Sequence, residues 1–244
     1  AQLGSQAIST SLKAGAIGLA IVMVFMIVMY AVPGIAASLA LAIYTTLVIA
    51  TLYLFDITLT LPGIAGIILG IGMAVDANVI VFARIREEIA TGKSVQTSMK
   101  IGFQKAMSAI LDGNITTLIA SVVLMALGSG TVKGFAYTLM IGIILSLFTA
   151  MVVTRYILYS LYALGLKSEK LYGRAKERKS IDFIGKKAVF FTISGIIIAA
   201  GLISMGVHSA TEGKALNYGL DFMGGTSTTA DFGKDMTIED IEND

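Results

Sequence analysis

The chain has 244 residues, of which 56% are hydrophobic and 14% charged, with a mean hydropathy of +0.84 and a formal net charge of +2. Soluble domains carry roughly 25% charged residues, so this balance excludes an ordinary soluble globular protein and points to an integral membrane protein. Cysteine is absent, which removes disulfides, thiol nucleophiles and thiolate metal sites.

Residues 1–13 mix polar and apolar side chains and do not read as a signal peptide, and the first apolar run is too long for an h-region. Six runs are long enough to span a bilayer as helices: 14–32, 34–55, 62–83, 108–128, 134–157 and 187–207. Val32-Pro33-Gly34 reads as a turn so tight that the first two spans must be antiparallel neighbours. Both are almost wholly aliphatic and are expected to be scaffold. The next three differ. In the third, Gly66 and Gly70 form a GxxxG pair and Gly72 stands one turn before Asp76; Asn78 can hydrogen-bond between helices. Asn114, Thr117, Ser121 and Gly128 share a face of the fourth, and Thr138, Gly142, Ser146 and Thr149 a face of the fifth. These faces predict close packing around one polar seam, the alternative being ordinary small-residue helix packing.

Between the third and fourth spans, Val95, Met99, Phe103 and Met107 recur at every fourth position among lysines. The pattern predicts an amphipathic helix lying in the membrane interface, or else a charged loop that anchors its neighbours. Asp112 is then expected at the start of the fourth span, as a cap favoured by the helix dipole. Residues 164–186 form a basic linker and 208–244 open a soluble segment, with His208, the single histidine, at the membrane edge. There, Gly219-Leu-Asp-Phe-Met-Gly-Gly-Thr226 reads as a strand left through a turn or bulge at Gly224-Gly225, and Thr237-Ile-Glu-Asp240 as a helix start. Both ends of the chain read as cut from something longer.

Asp76 is the residue whose position demands a functional explanation. At about 1.5 Å per residue it lies roughly 21 Å past Pro62 and roughly 12 Å before Arg84, inside the hydrocarbon layer. An ionised carboxylate there costs at least about 2.5 kcal/mol. Apolar surroundings disfavour the charged form of a carboxyl, so Asp76 is a candidate proton carrier, a cation ligand, or a structural carboxyl held neutral. Acids within membrane spans belong by default to ion or proton pathways.

Fourteen of the eighteen Lys and Arg residues fall on one side of the membrane: five between the third and fourth spans, including Arg84 and Arg86, and nine around the fifth-to-sixth link. The positive-inside rule makes these basic segments cytoplasmic and the C-terminal segment extracytoplasmic. In Arg84-Ile-Arg86-Glu87-Glu88 the charges read as such an anchor with partial acidic compensation. Tyr30, Tyr53, Tyr137, Tyr156, Tyr159 and Tyr162 suit an interfacial belt. No catalytic triad, zinc motif or P-loop occurs, so enzyme chemistry has no foothold. No cofactor, metal or nucleic acid is expected.

Leu61-Pro-Gly-Ile-Ala-Gly66, Gly72-Met-Ala-Val-Asp-Ala-Asn78 and Phe82-Ala-Arg-Ile-Arg-Glu-Glu88 together resemble the fourth transmembrane helix of SecD proteins. Asp112-Gly-Asn-Ile-Thr-Thr117 and Gly130-Thr-Val-Lys-Gly-Phe-Ala136 resemble the flanks of the next helix. After the linker, Ile181-Asp-Phe183, the sixth span and Gly219–Thr226 look like the start of SecF. The resemblance implies an all-α polytopic fold with five SecD-type helices over 1–163, the linker 164–186, a first SecF-type helix over 187–207, and the start of an α+β extracytoplasmic domain over 208–244. It implies a bacterial cytoplasmic-membrane protein that uses protons as coupling ion to promote preprotein export, with Asp76 in the proton relay. The partner carboxylate and an arginine are expected in later SecF-type helices that this chain lacks. Implied partners are the Sec translocation channel, a membrane insertase, the emerging preprotein and membrane lipid. Gly113 stands where relatives more often carry alanine. Two alternatives are a drug or lipid exporter half of the resistance-nodulation-division type, and a passive assembly module for the channel and insertase.

Overall fold

The computed structural model describes residues 2–173, 184–213, 215, 216 and 218. Among these no strand occurs, and six helical stretches are long and apolar enough to cross a membrane: Ile8–Tyr30, Val32–Leu54, Leu61–Ala90, Val95–Leu127, Gly130–Ala163 and Lys187–Thr211. The protein is an all-α, multi-pass membrane protein. The chain divides into two compact units, residues 1–177 and 178–244. The glycine-bounded strand with Gly224 and Gly225, and the helix start at 237–240, lie outside the described residues.

In the first unit, α1 (Gln2–Tyr30) and α2 (Val32–Leu54) meet at a corner of one residue. Pro33 and Gly34 do not make that turn, as the sequence had suggested; they lie in the first turn of α2. Proline fits there because its missing N–H would have no intrahelical partner, and its φ is already helical. Ala31 turns the corner instead, at φ 49°. Gly34 serves packing, since a Cβ on it would run into the Met26 carbonyl of α1.

Thr60 accepts a hydrogen bond from the Gly63 amide at 3.0 Å and starts α3 (Leu61–Ala90). Ser94 caps α4 (Val95–Leu127) through the Thr97 amide. The interface helix and the fourth span read from the sequence are therefore one helix of 33 residues. Nothing between 95 and 127 breaks it: there is no proline, and the glycines at 102 and 113 have ordinary helical neighbours. Nor does its apolar stripe lie on lipid. Val95, Met99 and Phe103 are buried, and the buried line then passes to Ala106 and Ile110 while Met107 is exposed. A repeat of 3.6 rather than 4 residues moves the contact line in that way.

The last span of the unit runs as α5 (Gly130–Phe148), a π-helical turn (Thr149–Val153) and α6 (Thr154–Ala163). α3 is the central helix, packed chiefly on α5 and α4. The α3–α5 approach is close because both helices are small there. A Cβ on Gly66 would strike Thr138 and Phe135, and one on Gly70 the buried Tyr44 hydroxyl, with the Gly142 Cα 3.6 Å away. Without a hydrophobic force between helices in lipid, such close backbone packing supplies the cohesion. In the second unit, α7 (Lys187–Glu212) is exposed along nearly its whole length and carries His208 near its end.

The same substitution should have opposite effects at two glycines. Gly34→Ala must displace α1 and should cost about 1–3 kcal/mol. Gly113→Ala meets nothing within 4 Å and should leave stability unchanged or raise it by up to about 1 kcal/mol. Thermal unfolding in lipid nanodiscs reads both.

Candidate functional site

Asp76 sits near the middle of α3, about 22 Å from Leu61 and about 21 Å from Ala90 along the helix axis. Its side chain is exposed, and it makes no hydrogen bond or ion pair with the described residues. Gly72, one turn away, is also exposed, and a Cβ there would meet nothing. The buried face of α3 carries Ala74, Ala77, Asn78, Val81 and Phe82. Two positions correspond to about 160° around the helix the short way, so Asp76 points away from α5, where the polar seam was expected.

Asn78 is buried on the opposite face, and its Nδ2 donates to the Ala74 carbonyl at 3.0 Å. The other seam residues behave likewise. Asn114 donates to Ile110 O at 2.7 Å, Thr117 to Gly113 O at 3.3 Å and Ser121 to Leu118 O at 2.7 Å. Thr138 donates to Phe135 O, Ser146 to Ile143 O and Thr149 to Leu145 O, at 2.8 to 2.9 Å. Each bond closes on the preceding turn of its own helix. The expected seam is therefore a set of small polar residues that donate within their own helices, with the buried Asn78 Oδ1 left without a partner among the described residues, rather than a network between helices or around Asp76. The nearest acceptor to a Ser, Thr or Asn donor in a helix is its own i−3 or i−4 carbonyl, and an apolar medium supplies no competitor.

The structure adds a second acid within a helix long and apolar enough to span a membrane. Asp112 is not at a helix start; it lies 17 positions after Val95 and 15 before Leu127, and it is exposed. A Cβ on Gly102 would meet Ile85, which sets the antiparallel register of α3 and α4 and brings Asp112 to within about one turn of the depth of Asp76. The available signal was the unbroken helical sequence from the Ser94 cap onward.

At the end of the unit where α3 stops, the charged motif does more than anchor. Arg84 pairs with Glu87 at 2.7 Å, with both side chains about half exposed. Such a pair contributes little. Glu88, by contrast, is buried, and its carboxylate takes Lys105 of α4 at 2.6 Å and also Lys93 of the α3–α4 turn. Arg86 reaches across to the α1–α2 corner: its guanidinium donates to the Met29 carbonyl and lies 4.3 Å from the centroid of the Tyr30 ring. Met29 O is one of the carbonyls that α1 leaves unpaired at its C-terminus. Gly173, at φ 81°, lies against the same guanidinium. The segment that brings it there is pinned by Tyr172, whose buried hydroxyl donates to Leu166 O at 2.8 Å and whose pKa burial pushes up to about 12.

Arg86→Lys should therefore lower stability by about 1 kcal/mol or more, because an ammonium cannot both stack on Tyr30 and hold its donor on Met29. Arg84→Lys should shift it by less than about 0.5 kcal/mol. Equal shifts in thermal unfolding would remove the distinction.

The family model described as protein export membrane protein SecD/SecF, C-terminal, matches residues 1–163. The protein translocase subunit SecD of Synechocystis sp. is 54% identical over 158 residues, covering 65% of this chain and 34% of that protein. The translocase subunit SecDF of Bacillus subtilis is 36% identical over an alignment of 266 residues, covering 100% of this chain and 35% of its own length. The crystal structure of SecDF from Thermus thermophilus, described as a translocon-associated membrane protein, superposes with a TM-score of 0.78 at 33% identity, over 92% of this chain and 30% of that one. The chain thus spans about a third of the length of these relatives, and it belongs to the SecD/SecF family of protein export membrane proteins.

Proposed function

We propose that this chain is the membrane part of a Sec export subunit that draws on the proton gradient, with Asp76 taking up and releasing the proton. The observation that carries the reading is an acid at mid-helix depth with no partner among the described residues, on a face of the central helix that no other helix of its own unit covers. Left against lipid, its ionised form costs several kcal/mol. A proton, water or a polar neighbour removes that cost, and alternation between such states is what a proton carrier requires. Asp112, at matched depth on α4, is a second station or a charge that biases the first.

The orientation follows the positive-inside rule, with the Arg86 and Lys105 end in the cytoplasm of a bacterial cell and the far end of α7 outside. Work is done by conformational change rather than covalent catalysis. The open face of α3 is the natural seat for further membrane helices of the complete subunit, which would bring the partner carboxylate and arginine to Asp76. The Sec channel, an insertase and the emerging preprotein are the partners proposed from the relatives' names as translocase subunits.

In the complete subunit, Asp76→Asn should reduce proton-dependent export at least tenfold while leaving membrane insertion intact, as measured by preprotein translocation into vesicles with and without a proton gradient. Unchanged gradient-dependent export would leave Asp76 a structural carboxyl and favour the passive assembly module. Asp112→Asn should give a smaller loss if Asp112 only biases Asp76, and an equal loss if both carry the proton.

A further inference from the structure

Beside the π-helical turn at Thr149–Val153, a groove of about 360 Å³ is lined by Met151, Val152, Arg155, Tyr156 and Tyr159. π-helical turns in α-helices are often found at functional sites. Arg155 lies 25 positions after Gly130, so it stands about 38 Å from the far end of the span. The hydrocarbon layer is about 30 Å thick, which puts the guanidinium at headgroup depth. The same level holds the α1–α2 corner and Phe103, whose ring centroid is 5.9 Å from the Arg155 guanidinium carbon. Tyr159 flanks it at 5.9 Å on its own helix. Arg155 is exposed and has no acidic partner among the described residues, whereas Arg84, Lys93 and Lys105 at this end are all paired with glutamates. No acid lines the groove. Val152 and Tyr156 are exposed at 38% and 70%, giving an apolar wall below and a phenol above the cation.

We propose that this groove binds an anionic phospholipid. The lipid phosphate sits on the Arg155 guanidinium, whose planar fork suits a phosphodiester. The Tyr159 hydroxyl is a donor at the same level, and the first carbons of an acyl chain lie along Met151 and Val152. Three features converge on a lipid rather than a free anion: the depth, the apolar wall continuous with the hydrocarbon, and an unpaired cation. A zwitterionic lipid brings its own ammonium to the phosphate and gains less from Arg155, so the site selects for net negative charge.

The chain contains no tryptophan, so Tyr156→Trp makes a single reporter at the groove. In the intact chain reconstituted into mixed bilayers, that indole should be quenched by acyl-brominated phosphatidylglycerol with roughly fivefold preference over acyl-brominated phosphatidylcholine, the size expected for one cation at the membrane surface. Adding Arg155→Gln should bring the ratio to about one, with phosphatidylcholine quenching and helical circular dichroism retained as the check that the protein is folded. A reporter at Val123→Trp, in the other half of α4, should show no preference. Equal quenching at Tyr156→Trp by the two lipids would overturn the site. So would a preference that survives Arg155→Gln, absence of quenching by either lipid, or relief of quenching by added inorganic phosphate.

Discussion

Everything in this fold follows from a solvent that offers polar groups nothing to bond to. In the hydrocarbon layer a hydroxyl or amide without a partner costs several kcal/mol, and the seam residues respond alike: Asn78, Asn114, Thr117, Ser121, Thr138, Ser146 and Thr149 all donate to carbonyls of their own helix, while the buried hydroxyls of Tyr44 and Thr154 stay without a partner among the described residues. Once closed in this way the seam residues behave as small residues and allow tight packing. A carboxylate has no such escape, because it accepts hydrogen bonds and the helix interior has no free N–H to give. Asp76 and Asp112 are acids in these spans with no partner among the described residues, and the proposed transport role rests on that difference.

The frame that holds them is rigid where the backbones approach. Gly66 and Gly70 bring α3 onto α5, and Gly102 brings α4 onto Ile85 of α3. At the basic end, Arg86 ties α3 to the α1–α2 corner while Glu88 ties it to α4 and the intervening turn. α3 is thus clamped along its buried face and at one terminus, with Asp76 on the face left open. On the proposed reading, a change of charge at Asp76 acts on helices seated against that open face, and the clamped side provides the fixed reference against which they move.

The spans, the close-packing glycines and the mid-helix position of Asp76 were legible in the sequence because each depends on composition or spacing along one helix. Three things were not. Where α4 begins could not be read from hydropathy, since its charged first half looks like a loop until Val95, Met99 and Phe103 are seen against the core; Asp112 was displaced with it. The direction of Asp76 depends on which face α3 buries, and glycines at 66, 70 and 72 mark more than one face. Arg86 read as an anchor because its partners, the Met29 carbonyl and the Tyr30 ring, lie more than fifty positions away in the chain.

The central claim is that Asp76 exchanges a proton in the course of transport, and proton flux tests it without relying on a preprotein. The complete subunit is reconstituted into vesicles with a pH-sensitive dye trapped inside, and a pH gradient is imposed. The account predicts protein-dependent acidification that disappears with Asp76→Asn. Flux through the Asp76→Asn protein equal to that of the unaltered protein would contradict it.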